Sequence, residues 1–406
     1  MLHWKKSKLY KGKIMLHFKF PTIYNIKDVL PVIKDAEEFV VIDKGDYIVV
    51  NYMVSLNTTF PPITDLHSMI RRECRGIIFN KKDGNIASRR LHKFFNINEK
   101  EETLYHNIDF SIPHKIMTKY DGSFIAPIYL DDKIIWGTKS GVTDVSRQVL
   151  PFLKNNPAYL TFVEYCKEKN LTPTFEWCTR KQKIILDYPV DRLILIAVRN
   201  LYTGEYIEFS TLEHLDGIDI AESFSVEEGN NEKFIESVKD AIDTEGYVIR
   251  FNNGHMLKVK SDWYVIRHKT KDKLLFEKNI LSLIFNNQLD DQRPFIDKVD
   301  LDRINNYEHK VLTALSTNSK ILYNLLTKYR QYANCDKKTF ALTVCPELNS
   351  FETSMAFSTW NDWNYDNFKE VLYNYIKKNS LNSQTKVNNI KWLWNNITWN
   401  YDNGEV

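Results

Sequence analysis

Cysteine, long apolar runs and net charge are all scarce in this sequence. The five cysteines are odd in number and include no Cys-x-x-Cys pair, so neither a disulfide framework nor a zinc site is indicated. The longest strongly apolar run, LILIAV, is far too short to cross a membrane, and the N-terminal lysines are not followed by the apolar stretch of a secretory signal. We therefore expect a cytoplasmic protein in a reducing environment, without a membrane partner.

The formal net charge of +3 is too small to identify a nucleic-acid partner, because that inference needs basic residues clustered on one face. Three local basic clusters do occur: WKKSKLYKGK at the start, SRRLHKFF at 88–95 and RHKTKDK at 267–273. Each of them alone is more typical of a solvated surface than of a binding patch.

Glycine and proline are also few, at 13 and 12 residues, while 43% of the chain is hydrophobic and 26% is charged. This composition is that of a folded globular protein and excludes general disorder. A chain of 406 residues is longer than a single hydrophobic core supports, so two domains are expected.

Short strands separated by turns dominate the chain from about residue 39 to 261. RGIIFN and NIASRR flank KKDG, FIAPIYL and KIIWGT flank DD, and YVIRF and HMLKVK flank NNG, which are hairpin patterns that predict largely antiparallel sheets. Helical periodicity interrupts them near 145–169 and 231–242, and becomes continuous after about residue 262. The sequence thus predicts an α+β domain over 1–261, with an N-terminal extension allowed over 1–38, and an all-helical domain over 262–406.

The segment KYDGSF, residues 119–124, places a lysine and an acid between two apolar stretches. A lysine is nucleophilic only when neutral, and its ordinary pKa of about 10.4 keeps it protonated unless burial or nearby cations lower that pKa. Lys258 and Lys260 in MLKVKSDW share one face of a predicted strand, where they could lower the pKa of Lys119 or bind a polyphosphate. A lysine pair on an exposed edge strand is the ordinary alternative.

Two acids, Glu176 in TPTFEWCT and Glu245 in DTEGYVIRF, lie on apolar strands, where a carboxylate needs an ion pair, hydrogen bonds or a metal. Mg²⁺ takes few carboxylates and relies on substrate phosphates, so one or two acids suffice. Arg75 in RRECRGIIFN and Lys139 in WGTKSG are candidates for phosphate contacts. A salt bridge or a surface position explains each of these residues equally well when it is considered alone.

The joint order of these segments is more specific than any one of them. R-G, K-x-D-G-S, an acid on an apolar strand, E-G and K-x-K resemble the covalent nucleotidyltransferase superfamily of ATP-dependent ligases and mRNA capping enzymes. Within it, the blocks are similar to those of the phage RNA ligase 1 family over about residues 70–265: ECRGIIF, SRRLHKFFN, KYDGS, GTKSG, TFEWC, EGYV and KVKSDWY.

The resemblance implies a nucleotidyltransferase domain with antiparallel sheets around a nucleotide pocket, in which ATP adenylylates Lys119. AMP would then pass to an RNA 5′-phosphate, and a 3′-hydroxyl would displace it. The cofactors implied are ATP and Mg²⁺, with Mn²⁺ as an alternative, and Glu245 and Asp121 would hold the metal. The nucleotide-site positions implied are Arg75, Lys119, Asp121, Gly122, Lys139, Glu176, Glu245, Lys258 and Lys260.

The partners implied are RNA ends, including a tRNA anticodon loop, and a separate polynucleotide kinase-phosphatase. The resemblance also implies a monomer whose helical domain over 262–406 gives specificity for RNA or tRNA ends. If the gene is a phage gene, the location implied is the cytoplasm of an infected host cell. The alternatives are a capping guanylyltransferase, a DNA ligase or a catalytically silent RNA-binding module. Capping enzymes and DNA ligases continue after K-x-K with a β-rich barrel, whereas this chain becomes helical. A silent module would be expected to lose Lys119.

Overall fold

The computed structural model describes residues 19–56, 58–131, 133–212, 215–227 and 229–400. The chain divides into two compact units between Val265 and Ile266. Residues 1–18, which include the first basic cluster and part of the expected extension, lie outside the described residues.

The first unit contains the described strands, whose bounds are β1 (Phe39–Asp43), β2 (Tyr47–Tyr52), β3 (Ile77–Asn80), β4 (Ile86–Ser88), β5 (Phe95–Asn96), β6 (His114–Thr118), β7 (Ser123–Leu130), β8 (Lys133–Gly137), β9 (Leu171–Cys178), β10 (Arg192–Asn200), β11 (Ser223–Phe224), β12 (Gly246–Phe251) and β13 (Met256–Lys260). Its α-helices are α1 (Leu30–Ile33), α2 (Leu66–Glu73), α3 (Asp144–Asn155), α4 (Pro157–Glu168) and α5 (Asn231–Asp240). Helix α6 (Asp262–Leu274) begins in this unit and continues past its end.

Three sheets form from these strands, in the orders β1-β2-β3-β4, β10-β9-β7-β8 and β11-β6-β12-β13-β5. The predicted hairpins β3–β4, β7–β8 and β12–β13 all pair antiparallel. The pairing of β13 with β5 is parallel, and it joins segments far apart in the sequence. The predicted α+β class with largely antiparallel sheets is thereby confirmed.

Local sequence explains several boundaries. The β12–β13 hairpin turns at Gly254, whose φ of +90° suits glycine, as the NNG pattern predicts. Thr143 accepts a hydrogen bond from the Ser146 backbone N–H and so caps α3. Pro157 stands at the first position of α4, where its missing N–H is harmless, so the predicted helical stretch is two helices.

The second unit is helical throughout its described part and has its own apolar core. Its remaining helices are α7 (Glu277–Phe285), α8 (Leu289–Gln292), α9 (Lys298–Tyr332), α10 (Lys337–Thr343), α11 (Ser350–Ser358), α12 (Tyr365–Asn379) and α13 (Gln384–Ile390). Helix α9 buries Ile304, Val311, Leu315, Leu322 and Leu326 at intervals of four or seven residues, the spacing of one helix face. No helix within the described ranges is both long and apolar enough to cross a membrane.

Candidate active site

Lys119 follows the last residue of β6 and faces a buried carboxylate. Its backbone N–H donates to the Gly246 carbonyl at 2.9 Å, which ties it to the start of β12. Its Nζ lies 2.8 Å from Glu245 Oε1, and Lys260 Nζ lies 2.9 Å from the same oxygen. The Lys119 side chain is 24% exposed and that of Glu245 only 4%. One acid is therefore shared by two lysines that the sequence assigned to the same site.

From the sequence, burial and neighbouring cations could lower the pKa of Lys119, but the structure also surrounds its amine with carboxylates. Burial works to lower the pKa of Lys119, but the charges of Glu245, Glu176 and Asp121 and the hydrogen bond to Glu245 outweigh it and raise that pKa above its ordinary value. The sequence assigned these three acids to the same site, but only the structure shows that they lie close enough to Lys119 to outweigh its burial. These carboxylate charges therefore favour the ammonium form of Lys119.

Lys258 is the amine whose pKa is depressed. It pairs with Val248 on one side and with Asn96 on the other, so it lies inside the third sheet. Its Nζ is 5.3 Å from the centre of the Phe94 ring. Burial, reinforced by the positive charges of Arg75 and Lys93, lowers the pKa of Lys258 to about 7.

Glu176 lies on β9, opposite Phe124 on β7 and in the electrostatic field of Lys119. Burial raises the pKa of Glu176 to about 7, helped by the charge of Glu245 and opposed by Lys119 and Arg75. A carboxyl group with a pKa near neutral pH can accept a hydrogen bond when ionised and donate one when protonated.

Asp121 is 3% exposed and is held by three donors. Its Oδ2 accepts from the backbone N–H groups of Ile185 and Leu186 at 2.7 and 2.8 Å, and its Oδ1 accepts from Tyr264 Oη at 2.6 Å. Next to it, a Cβ on Gly122 would lie 2.5 Å from the Trp177 carbonyl oxygen, so only glycine fits there. These contacts fix the loop that presents Lys119.

A second group of cations surrounds Tyr52; we call Arg75, Lys93 and Lys139 the Tyr52 cation cluster. Lys93 Nζ lies 4.8 Å and Lys139 Nζ 5.7 Å from the centre of the Tyr52 ring. Burial alone would raise the pKa of Tyr52, but the charges of Lys93, Arg75 and Lys139 together lower it. Arg75 packs between the rings of Phe94 and Phe124, at 5.9 and 5.8 Å. Within the described residues, no member of the cluster forms an ion pair with a carboxylate.

Lys93, Phe94 and Tyr52 were missed as candidate residues from the sequence. The block SRRLHKFFN contains the first two, and its alternation of basic and aromatic residues was the available signal. The interpretation of residues 88–95 as a solvated surface was wrong: Arg89 is 0%, Arg90 2% and Lys93 9% exposed. Tyr52 had no local signal, because only the pairing of β2 with β3 brings it toward Arg75.

Carboxylates suitable for a metal are few in this region. Among the described residues, no group of three or more His, Cys, Asp or Glu side chains is arranged to hold a metal ion. Of the two predicted ligands, Glu245 already accepts from two lysines and Asp121 from three donors. A metal here would therefore need oxygen ligands from a substrate or from water.

Comparison with known proteins places these residues in context. Residues 73–264 match a family model described as RNA ligase. A protein of Thermovibrio ammonificans described as an RNA ligase is 27% identical over 277 residues, covering 66% of this chain and 70% of that protein. RNA ligase 1 of bacteriophage TS2126 is 41% identical over 64 residues, which is 15% of this chain and 16% of that protein.

Two further matches cover less of their own chains than two thirds. A protein of Autographa californica nuclear polyhedrosis virus described as a bifunctional polynucleotide kinase/RNA ligase is 28% identical over 240 residues, 54% of this chain and 34% of that protein. The solved structure of an archaeal ATP-dependent RNA ligase superposes with a TM-score of 0.42 at 14% identity, covering 61% of this chain and 64% of that one.

Proposed function

Since residues 73–264 belong to the RNA ligase family, we propose that this chain is an ATP-dependent ligase that joins 5′-phosphate and 3′-hydroxyl ends of RNA. The family and the enzyme class predicted from the sequence are confirmed by these matches. Lysyl-AMP and RNA-adenylate intermediates, the metal, the residue roles and the natural RNA belong to the proposal. It predicts ATP-dependent sealing.

The observation that carries the proposal is that Lys119 and Lys260 both contact one carboxylate oxygen of Glu245. These residues come from the end of β6, the start of β12 and the end of β13, so the fold and not the local sequence brings them together. A nucleophilic amine, an acid and a second cation at contact distance are the parts that phosphoryl transfer to a lysine requires.

In the first step the Lys119 amine attacks the α-phosphorus of ATP, a nitrogen–phosphorus bond forms, and the bond to the pyrophosphate oxygen breaks. Lys119 must first lose a proton, and its three carboxylate neighbours oppose that loss. Mg²⁺ at Glu245 fits this donor set, because Mg²⁺ uses one or two carboxylates and completes its shell with phosphate oxygens and water. When bound, the ion supplies positive charge beside the α-phosphate.

The residues around Lys119 then have distinct roles. With the Glu245 charge balanced, burial of Lys119 and the charges of Lys258 and Lys260 favour the neutral amine. Lys258 and Lys260 would contact the α-phosphate. Glu176, whose pKa is about 7, would hydrogen-bond the ribose hydroxyls. Asp121 would orient the Lys119 loop, since its oxygens already accept three hydrogen bonds.

The Tyr52 cation cluster would hold the pyrophosphate portion of ATP and, after its release, the 5′-phosphate of RNA. Among the described residues these three cations have no carboxylate partner, which suits a site for anions. Lys258 lies between them and Lys119, since its pKa is lowered by the charges of Arg75, Lys93 and Lys119. Binding of two phosphates in turn would supply the negative charge that the described side chains do not.

The RNA substrate is a single-stranded or nicked RNA, with tRNA repair as the proposed role. Its ends would be prepared by a separate kinase-phosphatase, because the chain contains no GxxxxGK[ST] phosphate-binding loop. The viral relative described as a bifunctional kinase/ligase is consistent with such a pairing of activities.

The test incubates the full chain with Mg²⁺, 5′-phosphorylated single-stranded RNA and either ATP or GTP. We expect circular or joined RNA with ATP only, and no product from the Lys119→Arg variant. Use of GTP in place of ATP would indicate a capping enzyme, and sealing of nicked DNA but not RNA would indicate a DNA ligase. RNA retention without any nucleotide transfer would indicate a silent binding module.

A further inference from the structure

The short turn that carries Lys139 is fixed at its backbone. Thr138 N–H donates to the Gly141 carbonyl at 2.8 Å, and Gly141 N–H donates back to the Thr138 carbonyl at 3.1 Å. Gly76, with φ of +81°, approaches so closely that a Cβ there would lie 2.3 Å from the Lys139 carbonyl oxygen. The backbone of this turn is therefore in close contact with Gly76, the residue that follows Arg75.

Arg90 lies buried beneath this turn, with 2% of its surface exposed. Its Nη2 donates to the carbonyls of Gly137 and Thr138, at 3.3 and 3.1 Å, and its Nη1 donates to Ser88 Oγ. The Thr138 carbonyl therefore accepts both from Gly141 and from Arg90. The guanidinium connects Ser88 at the end of β4 to Gly137 at the end of β8 and to Thr138, the first residue of the turn.

No carboxylate among the described residues pairs with Arg90, and its Nε has no hydrogen-bond partner among them. Burial lowers the pKa of Arg90 to about 9, which leaves it charged near neutral pH. A buried, unpaired guanidinium is costly when its only acceptors are neutral oxygens. By contrast, its neighbour Arg89 forms an ion pair with Glu73 at 3.2 Å. The two adjacent arginines therefore differ: Arg89 is neutralised and Arg90 is not.

We infer that Arg90 is a positioning residue for polyphosphate binding: by holding the carbonyls of Gly137 and Thr138 it fixes Lys139 beside Arg75 and Lys93. The inference rests on the proposed function, because it assigns the Tyr52 cation cluster to a polyphosphate. It goes beyond that function in naming a buried residue that touches no substrate and acts through Lys139.

The test is a double-mutant cycle read by calorimetric binding of inorganic tripolyphosphate to the full chain. Arg90→Met and Lys139→Met should each weaken binding about tenfold, and the double variant should bind no more weakly than Lys139→Met alone. Arg90→Lys should bind between wild type and Arg90→Met, since an ammonium keeps the charge but lacks the planar fork. The matched control is Lys133→Met, an exposed cation on β8 that pairs with Asp46 and should have no effect.

Equal losses from Arg90→Met in the wild-type and Lys139→Met backgrounds, or no loss at all, would overturn the inference. Absence of tripolyphosphate binding to the wild type would overturn it too. If Arg90→Met does not fold, the same cycle with Arg90→Lys decides. Tripolyphosphate contains no adenosine, so its binding is independent of lysyl-AMP formation. If the effects of the Arg90 and Lys139 substitutions are coupled but the protein forms no lysyl-AMP, only the proposed function is contradicted. If lysyl-AMP forms but the two effects are additive, only this inference is contradicted.

Discussion

At the scale of single residues, the site gives different surroundings to two lysines for which the sequence predicted the same role. The pattern K-x-K shows that Lys258 and Lys260 share a strand face, but it does not show which acids lie nearby. The structure places Lys260 on Glu245 and Lys258 among cations, so it is Lys258 whose pKa falls. Sequence reasoning named Lys119, Glu245 and Lys260, which the structure brings into contact, whereas the direction of each pKa shift depends on distances that only the tertiary structure supplies.

Lys258→Met should stabilise the unliganded protein and weaken ATP binding. Methionine has a similar shape without a charge to desolvate, so the melting temperature at pH 7 should rise by about 2–4 °C. ATP affinity should fall about tenfold, because one phosphate contact is lost. Differential scanning calorimetry and ATP titration measure both, with Lys239→Met on the exposed face of α5 as control. A lower melting temperature would show that Lys258 stabilises the fold.

The stabilisation by Lys258→Met should depend on pH. The pKa of Lys258 falls from 10.5 to about 7 on folding, so between these values the unfolded chain binds more protons than the folded one, and wild-type stability gains from rising pH. The difference between variant and wild type should thus be largest below pH 7 and shrink toward pH 10. Urea unfolding at pH 6.5, 8 and 9.5 measures this difference. A constant difference would mean that the charge of Lys258 is not its cause.

At the scale of elements, the hairpins could be predicted because strand alternation and turn residues are local signals. The pairing of β5 with β13 could not be predicted, since it is parallel and joins segments far apart, and it brings Phe94 and Lys93 toward Lys258. The burial of residues 88–95 was also missed, because it too depends on contacts between segments far apart in the sequence. A run of basic residues predicts a surface unless buried acids such as Glu73 are known to lie opposite.

Gly122→Ala should separate β7 from β9 and stop nucleotide transfer. Its Cβ would lie 2.5 Å from the Trp177 carbonyl oxygen and 2.9 Å from Cys178 Sγ, so the backbone must move next to Lys119. We expect at least a hundredfold slower lysyl-AMP formation in a folded protein, about 3 kcal/mol in the barrier. Gly45→Ala is the control, since its φ of +86° brings strain but nothing lies within 4 Å. Equal rates for both variants would refute a steric role.

At the scale of the whole molecule, the family match ends at residue 264 and the second unit begins at Ile266. The sequence predicted a helical domain there from periodicity, and the helices α7–α13 agree with it. The specificity for RNA or tRNA ends that the family resemblance implies for this unit stays a prediction, because helical periodicity reports a buried face and not a ligand. Periodicity also does not reveal that a carboxylate lies buried in this unit: Glu277 is only 6% exposed.

Glu277→Ala should unfold the second unit at lower temperature and leave lysyl-AMP formation intact. Glu277 pairs with Lys391 at 2.7 Å and accepts from Tyr307 at 2.8 Å and Gln384 at 2.9 Å. Removing it leaves a buried ammonium unpaired, which costs about 3–5 kcal/mol. Calorimetry should show an earlier transition in this variant and not in Glu347→Ala, an exposed acid of the same unit. Loss of nucleotide transfer together with this transition would show that the first unit depends on the second.

The most direct test of the central claim identifies the amine that carries AMP. The full chain is incubated with Mg²⁺ and ATP, digested, and its peptides are mapped by mass spectrometry. The account predicts AMP on Lys119 alone, and none on any lysine of the Lys119→Arg variant. AMP on Lys258, the amine with the depressed pKa, or no AMP on any lysine would contradict it.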